Sequence, residues 1–201
     1  VASESGCRNW RSPLVGPQFS KDEVDALLEE MEIAPGPSPG DDAAVEAVEK
    51  GAIVGIFEGR AEFGPRSLGS RSIVGDPRIP ESKARVNHRV KRRDFFMPFA
   101  PAILEEFVSV FSENPGIVNP YMQVVSRVRG ERMADISAAV HVDGSARIQR
   151  VERELYPFFH DFISRFHHLT GVPAVLNTSF NRHGISTISS PRQALEHFLS
   201  G

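Results

Sequence analysis

Residues 52–57, Ala-Ile-Val-Gly-Ile-Phe, run directly into residues 58–72, Glu-Gly-Arg-Ala-Glu-Phe-Gly-Pro-Arg-Ser-Leu-Gly-Ser-Arg-Ser. The first run is short and apolar, which predicts a buried β-strand. The second run mixes three arginines with three glycines. Glycine allows backbone N–H groups to come close to a ligand, and arginine offers a planar fork of donors that matches phosphate or carboxylate. Because α/β proteins place ligands in loops at the ends of such strands, these residues predict an anion-binding loop in an α/β fold.

Helical patterns alternate with strand patterns along the rest of the chain. A capping box at Ser20–Glu23 begins the first helix, and glycines end two later ones at Gly51 and Gly171. The predicted helices are a segment beginning at 20, then 41–50, 80–93, 155–171 and a last segment beginning at 190. The predicted strands are 52–57, 95–104, 121–128 and 172–176, with a strand–turn–strand unit at 138–149. This alternation is typical of the α/β class.

The composition indicates a globular chain of one domain, or of one domain with an appendage. It has 201 residues, of which 40% are hydrophobic, and no apolar run approaches the length needed to cross a bilayer. The single cysteine, Cys7, excludes an internal disulfide framework and a multi-cysteine metal site. The first residues show no basic and apolar signal sequence, so we expect a cytoplasmic protein.

Charge is unevenly distributed, although the net charge is only −3. Residues 20–50 contain ten acids and two lysines, whereas residues 60–93 contain ten bases and three acids. Only four of the 23 basic residues are lysines. An arginine-rich middle segment favours oriented recognition of an anion over diffuse attraction to a polyanion.

Several sequence motifs follow one another in a characteristic order. They are Gly59-Arg60 with Glu62-Phe-Gly-Pro-Arg66-Ser-Leu-Gly69, Arg71-Ser-Ile, Asp76-Pro-Arg78, Asn87 with Lys91 and Arg93, Pro98-Phe-Ala-Pro101, residues 141–149, and residues 170–181. They span about residues 50–199. Together they resemble the C-terminal domain of the O-carbamoyltransferase family of nodulation-factor and antibiotic biosynthesis.

The resemblance implies a YrdC-like fold, a twisted mixed sheet flanked by helices, for residues 41–201. It also implies that this domain stops before the family's final strand. Residues 1–40 would be an N-terminal helix and linker from a preceding domain of sugar-kinase/Hsp70-like fold, which is absent from this chain. The metal-binding histidines of the family belong to that preceding domain, so no metal ligands are expected here.

The activity implied by the resemblance is the formation of carbamoyl-adenylate from carbamoyl phosphate and ATP. This is the first half-reaction of O-carbamoyl transfer to a hydroxyl acceptor, and completing it needs the preceding domain. Mg²⁺ would accompany ATP through the phosphate oxygens. Neither a membrane nor a nucleic acid is expected as a partner.

Ten residues are candidates for this site. The predicted catalytic residues are Arg66, Lys91, Arg147 and Ser179, and the predicted substrate- or ATP-binding residues are Arg60, Arg71, Arg93, Asn177, Thr178 and Asn181. The cations would neutralise and align phosphate groups, and the neutral side chains would supply further hydrogen bonds. Arg60 and Arg71 are second choices, since an ion pair with Glu58 or Glu62, or a buried structural contact, would explain them equally well.

Four residues at two histidine-containing positions are expected to have structural roles and no catalytic role. His141 and Asp143 are too few for a metal site and are expected to be turn and hydrogen-bond residues. His167 and His168 lie at a predicted helix end, where a cation suits the helix dipole.

Two positions depart from the family pattern. Met97 stands where the family usually has an arginine, and residues 184–188 lack the family's acid. These departures leave a variant substrate or a weakened activity open. Three further alternatives also stay open: a threonylcarbamoyl-adenylate synthase-like enzyme, a nucleotide- or RNA-binding module, and a non-catalytic fragment kept for its interface. The RNA alternative ranks low, because exposed aromatic residues do not interleave with the basic stretch.

Overall fold

The computed structural model describes residues 12–36, 42–94 and 96–200. The prediction about Cys7 and most of the predicted loop at 35–40 lie outside these ranges. No helix within them is long and apolar enough to cross a membrane.

A five-stranded mixed sheet forms the centre of the fold. Its strands are β1 (Val54–Phe57), β2 (Arg71–Gly75), β3 (Ala100–Leu104), β6 (Gln149–Val151) and β7 (Ala174–Ser179), in the order β1-β2-β7-β3-β6. Neighbours from β1 to β3 are antiparallel, and β3 pairs with β6 in parallel. Two short strands, β4 (Ser126–Arg127) and β5 (Ser145–Ala146), pair separately.

Helices lie on both faces of this sheet. They are α1 (Lys21–Glu30), α2 (Ala43–Glu49), α3 (Pro80–Arg85), α4 (Val108–Phe111), α5 (Pro157–Thr170) and α6 (Pro191–Leu199). A π-helix, Val86–Lys91, continues α3, and 3₁₀ segments occupy Glu105–Phe107, Pro115–Ile117 and Gly130–Ala139. The α/β prediction is confirmed, with helices on a mixed sheet as expected.

The ends of the helices are where the local sequence signals placed them. Ser20 accepts from the backbone N–H of Glu23, whose carboxylate accepts in return from the Ser20 N–H. Gly171 takes a left-handed conformation with φ of 75° and ends α5. Such signals act within a few residues, so the sequence reveals them without knowledge of the fold.

Strand β7 lies between two of the three apolar clusters of the core. Val175 packs with the phenylalanines of α5, whereas Leu176 packs with Phe99 and Phe180 on the opposite face. Alternate residues of a strand point to opposite faces, so one buried strand serves both layers. The predicted core role of the α5 phenylalanines is confirmed, because Phe159, Phe162 and Phe166 are buried.

Two of the strand predictions were only partly right. Within 121–128 only Ser126–Arg127 forms a strand, and the predicted strand at the start of 138–149 is the end of the 3₁₀ segment Gly130–Ala139. In that segment Ile136, Ala138 and Ala139 are buried in the core. A short apolar run has the same composition in a buried strand and in a buried helical turn, so periodicity could not separate them.

The segment before α1 lies along the arginine-rich loop. The Gly16 N–H donates to the Ala61 carbonyl at 2.9 Å, and the Ala61 N–H donates to the Pro17 carbonyl at 3.0 Å. Further on, Glu30 of α1 pairs with Arg192 of α6 at 2.5 Å. The described part of residues 1–40 therefore packs on the sheet domain.

Candidate anion-binding site

The loop that joins β1 to β2 is folded around Glu62. Its Oε1 atom accepts from the backbone N–H groups of Leu68 at 2.8 Å, Ser70 at 2.7 Å and Arg71 at 3.4 Å. A carboxylate that gathers several N–H groups replaces the regular hydrogen bonds that a loop lacks. Glu62 therefore determines the course of the loop, here called the arginine loop (residues 58–70).

Two buried amides attach the arginine loop to the sheet. Asn177 of β7 donates from Nδ2 to the Ser67 carbonyl at 3.2 Å and to Gln149 Oε1 at 2.8 Å. Gln149 of β6 donates from Nε2 to the Leu68 carbonyl at 2.7 Å. Because Ser67 follows Arg66 directly, these bonds hold the backbone next to Arg66 against the centre of the sheet.

Four positive side chains come together beside this anchor and are called the cation cluster: Arg66, Lys91, Arg93 and Arg147. Burial lowers the pKa of the Arg147 guanidinium, and the charges of Arg66 and Arg93 lower it further. Burial also lowers the pKa of Arg93. Among the described residues, no carboxylate lies within ion-pair distance of these three arginines. The cluster is thus an uncompensated positive region that an anion would stabilise.

Lys91 is the most buried member of the cluster, with 2% of its surface exposed. It lies at the end of the π-helix and donates to the Ser179 carbonyl, to Ser179 Oγ at 3.1 Å and to Asn181 Oδ1 at 2.6 Å. Burial, and then the charge of Arg93, lower its pKa from 10.5 to about 7. These three neutral acceptors do not outweigh the loss of hydration, so Lys91 titrates near neutral pH.

A cavity of about 620 Å³ opens next to the cation cluster. Arg66, Ser179 and Asn181 line it, and the segment 185–189 closes one side. Lys91 lies directly behind Ser179 and Asn181. A cavity of this size suits a small organic ligand, and Arg66 belongs to both the cavity and the cluster.

Of the ten predicted residues, eight belong to the cation cluster, line the cavity or attach the arginine loop to the sheet. They are Arg66, Arg71, Lys91, Arg93, Arg147, Asn177, Ser179 and Asn181. Thr178 is half-buried on β7 and pairs in register with Ile73 of β2.

Arg60 and Arg71 make mainly backbone contacts. Arg60 donates to the Gly16 carbonyl at 3.2 Å, so it holds the segment before α1. Arg71 is fully buried and stacks on Phe57 with its guanidinium carbon 3.6 Å from the ring centroid. Its two terminal nitrogens donate to the carbonyls of Glu58, Ser70, Pro17 and Gly59. These contacts correspond to the buried structural alternative, although Arg71 also lines the cavity.

Three residues of the site were not singled out from the sequence. Glu62 and Gln149 shape the loop, and Asn87 accepts from Arg93 Nε at 2.7 Å while donating to the Met97 carbonyl at 3.2 Å. All three stand inside the quoted motifs, which is the signal that could have marked them. Met97 supplies this contact through its backbone.

His141 and Asp143 form a turn, as predicted. Asp143 Oδ1 accepts from Ser145 N at 3.0 Å and from Ser145 Oγ at 2.6 Å, and His141 Nδ1 lies 3.1 Å from Ser145 Oγ. Burial is the main reason that the pKa of His141 is lowered, and the charge of Arg147 adds to it. The turn therefore lies close enough to the cation cluster for the charge of Arg147 to affect His141.

Solved structures with a similar fold support the architecture. HypF of T. kodakarensis superposes with a TM-score of 0.55 at 19% identity, over 78% of this chain and 19% of that chain. Full-length HypF in its phosphate- and nucleotide-bound form gives a TM-score of 0.57 at 18% identity, over 83% of this chain and 21% of that chain. The fold is the expected YrdC-like one, and the class is an α/β domain with a cluster of positive side chains beside a cavity.

Comparison of sequences identifies the family. The family model for the carbamoyltransferase C-terminus matches residues 45–201, so the chain belongs to the family of carbamoyltransferase C-terminal domains. Nodulation protein NolO of Bradyrhizobium diazoefficiens is 40% identical over 95% of this chain and 35% of its own length. Nodulation protein NolNO of Sinorhizobium fredii is 42% identical over 78% of this chain and 23% of its own length. The chain spans about a third or less of these curated relatives.

Proposed function

We propose that this chain forms carbamoyl-adenylate from carbamoyl phosphate and ATP. Water first splits carbamoyl phosphate into carbamate and phosphate, and a carbamate oxygen then attacks the α-phosphorus of ATP and expels pyrophosphate. A preceding domain of sugar-kinase/Hsp70-like fold in the longer protein would move the carbamoyl group to a hydroxyl. The proposal places this reaction in the cytoplasm.

The cation cluster is the observation that carries the proposal. Carbamoyl phosphate and a nucleotide triphosphate bring several negative charges close together, and their approach needs fixed positive charges. Arg66, Arg93 and Arg147 supply these charges without a carboxylate partner among the described residues. Arginine forks also align phosphate oxygens, which favours reaction over simple attraction.

The cavity suggests how the two substrates divide the site. A nucleoside would occupy the 620 Å³ space, and its phosphates would extend past Arg66 into the cation cluster. Ser179 and Asn181 line the cavity and hold Lys91 at its wall. The similar fold of HypF with phosphate and nucleotide bound agrees with this use of the fold.

Mg²⁺ would enter with ATP. Glu62 is the one carboxylate among the described residues that line the cavity, and its Oε1 already accepts from the arginine loop. Few protein ligands are thus available, which suits an ion held mainly by phosphate oxygens and water.

The test is pyrophosphate release by the purified chain with Mg-ATP, with and without carbamoyl phosphate. We expect release that depends on carbamoyl phosphate and that Arg66→Ala abolishes. Arg153→Ala is the matched control, since Arg153 is exposed and adjoins Glu105 at the far end of β3. ATP binding without pyrophosphate release would support the interface-fragment alternative. The absence of both ATP binding and pyrophosphate release would contradict a nucleotide site.

A further inference from the structure

A second group of charged side chains lies at the other end of the sheet from the cation cluster. Glu105 and Glu106 directly follow β3, and His160 is on α5. One ligand atom of each residue lies within 4.8 Å of the other two. Because β3 is antiparallel to β7, this end of β3 is remote from Ser179 at the end of β7.

The hydrogen bonds of Ser164 favour one tautomer of the His160 ring. Ser164 Oγ donates to the His160 carbonyl at 2.8 Å, which uses its single hydrogen. The same oxygen lies 3.3 Å from His160 Nδ1, where it is placed to accept. This contact fits the tautomer with hydrogen on Nδ1, which leaves the lone pair on Nε2.

His160 Nε2 faces another acceptor. It lies 3.3 Å from Glu106 Oε2, and only 2% of the His160 surface is exposed. In the tautomer with its lone pair on Nε2, the ring and this carboxylate oxygen can share a metal ion, whereas the other tautomer would donate from Nε2 to Glu106. A proton would satisfy these two atoms alone, whereas a metal ion would also use the carboxylate of Glu105.

We propose that Glu105, Glu106 and His160 bind a divalent transition-metal ion of the Zn²⁺ type at the junction of β3 and α5. One imidazole and two carboxylates with an open position suit such an ion. A hydrogen bond from the far ring nitrogen is the usual support of a ligating histidine, and Ser164 provides it. The bound ion would tie the 3₁₀ segment Glu105–Phe107 to α5.

The test uses the intact chain, freed of metal by dialysis against a chelator. ZnCl₂ and MnCl₂ are titrated against a chromogenic competitor, and thermal unfolding is followed with and without each metal. We expect one equivalent of Zn²⁺ per chain and a higher unfolding temperature. Glu106→Gln should lower the affinity by at least about tenfold, and Glu105→Gln should lower it as well.

Controls separate this site from ordinary surface histidines. His160→Gln alters a buried position and risks unfolding, so the exposed glutamates are the primary variants. His168→Gln, an exposed histidine on the same helix, should leave the affinity unchanged. Absence of saturable binding, or binding that both glutamate variants retain, would overturn the proposal and leave His160 hydrogen-bonded to Glu106.

Discussion

Lys91 Nζ donates to Asn181 Oδ1 at 2.6 Å, across 90 positions of the sequence. This bond joins the end of the π-helix to the residues that follow β7, and Ser179 shares it by donating to the same oxygen at 2.6 Å. A buried amine is thereby held at the wall of the cavity beside a group of arginines. Its protonation decides how positive that wall is.

Ligand affinity should therefore depend on pH through Lys91. The pKa of Lys91 is lowered to about 7, so the side chain loses its charge as the pH rises through neutrality. We expect the affinity for carbamoyl phosphate, measured by calorimetry, to fall between about pH 6 and about pH 8. Lys91→Met is the control, because its remaining pH dependence reflects ionisation of the ligand and of other groups. If affinity depends on pH in the same way in Lys91→Met and in the unaltered protein, the prediction is contradicted.

Stability should change with pH in the opposite sense. Between about 7 and 10.5 the unfolded chain keeps a proton on Lys91 that the folded chain has released, so this group's contribution to the free energy of unfolding becomes more favourable as pH rises. The stability of Lys91→Met relative to the unaltered protein should be highest at and below about pH 7 and should decline by about pH 9. Urea unfolding of both proteins at several pH values measures this, and a constant difference would count against a lowered pKa.

Replacing Arg147 should separate stability from binding. Arg147 is partly buried among Arg66 and Arg93, so Arg147→Met relieves repulsion while keeping most of the side-chain volume. We expect a free energy of unfolding that is unchanged or higher by about 0.5–2 kcal/mol. Affinity for carbamoyl phosphate and ATP should fall at least about tenfold, which is about 1.4 kcal/mol.

The control for this prediction is Arg153→Met, which removes an exposed arginine outside the cluster. It should change neither quantity. If Arg147→Met loses stability together with binding, the arginine has a structural partner and the view of an uncompensated cluster is wrong.

Gln149 should matter for both the sheet and the arginine loop. Gln149→Leu keeps the volume but leaves the Leu68 carbonyl without its buried donor and removes the acceptor of Asn177. We expect a loss of about 1–3 kcal/mol in the free energy of unfolding, together with weaker ligand binding. Chemical denaturation and calorimetry measure the two effects, and Gln123→Leu, at an exposed position, should show neither.

The glycines of the arginine loop should not be equivalent. A Cβ added at Gly69, where φ is 129°, would lie 2.5 Å from the Phe159 ring, whereas at Gly64, with φ of 114°, nothing lies within 4 Å. Gly64→Ala should cost only backbone strain, about 1–2 kcal/mol. Gly69→Ala adds overpacking against α5 and should cost about 2–5 kcal/mol in thermal unfolding. If the two variants lose the same stability, the Phe159 side chain moves aside at little cost and the prediction is wrong.

The local signals of this sequence were sufficient for much of the fold. Capping boxes, glycine ends and the apolar spacing of α5 act over a few residues, so they predicted helix ends that the structure confirms. The strand predicted at the start of 138–149 was wrong because a short apolar run does not distinguish a strand from a 3₁₀ segment, and most of 121–128 is turn and irregular backbone. Strand β2 was not predicted as a strand, because Arg71 and Ser72 make its first half polar although the whole segment is buried.

The sequence alone determined the family, the α/β class and the residue types of the site, because motif order and glycine–arginine composition are visible without coordinates. Only the tertiary structure decided which cations come together in one cluster. Arg71 turns inward to four backbone carbonyls, whereas Arg66, Arg93 and Arg147 meet from three separate segments. Burial and the proximity of charges depend on contacts between residues that are far apart in the chain. The pKa of Lys91 is an example, because burial and the nearby charge of Arg93 lower it.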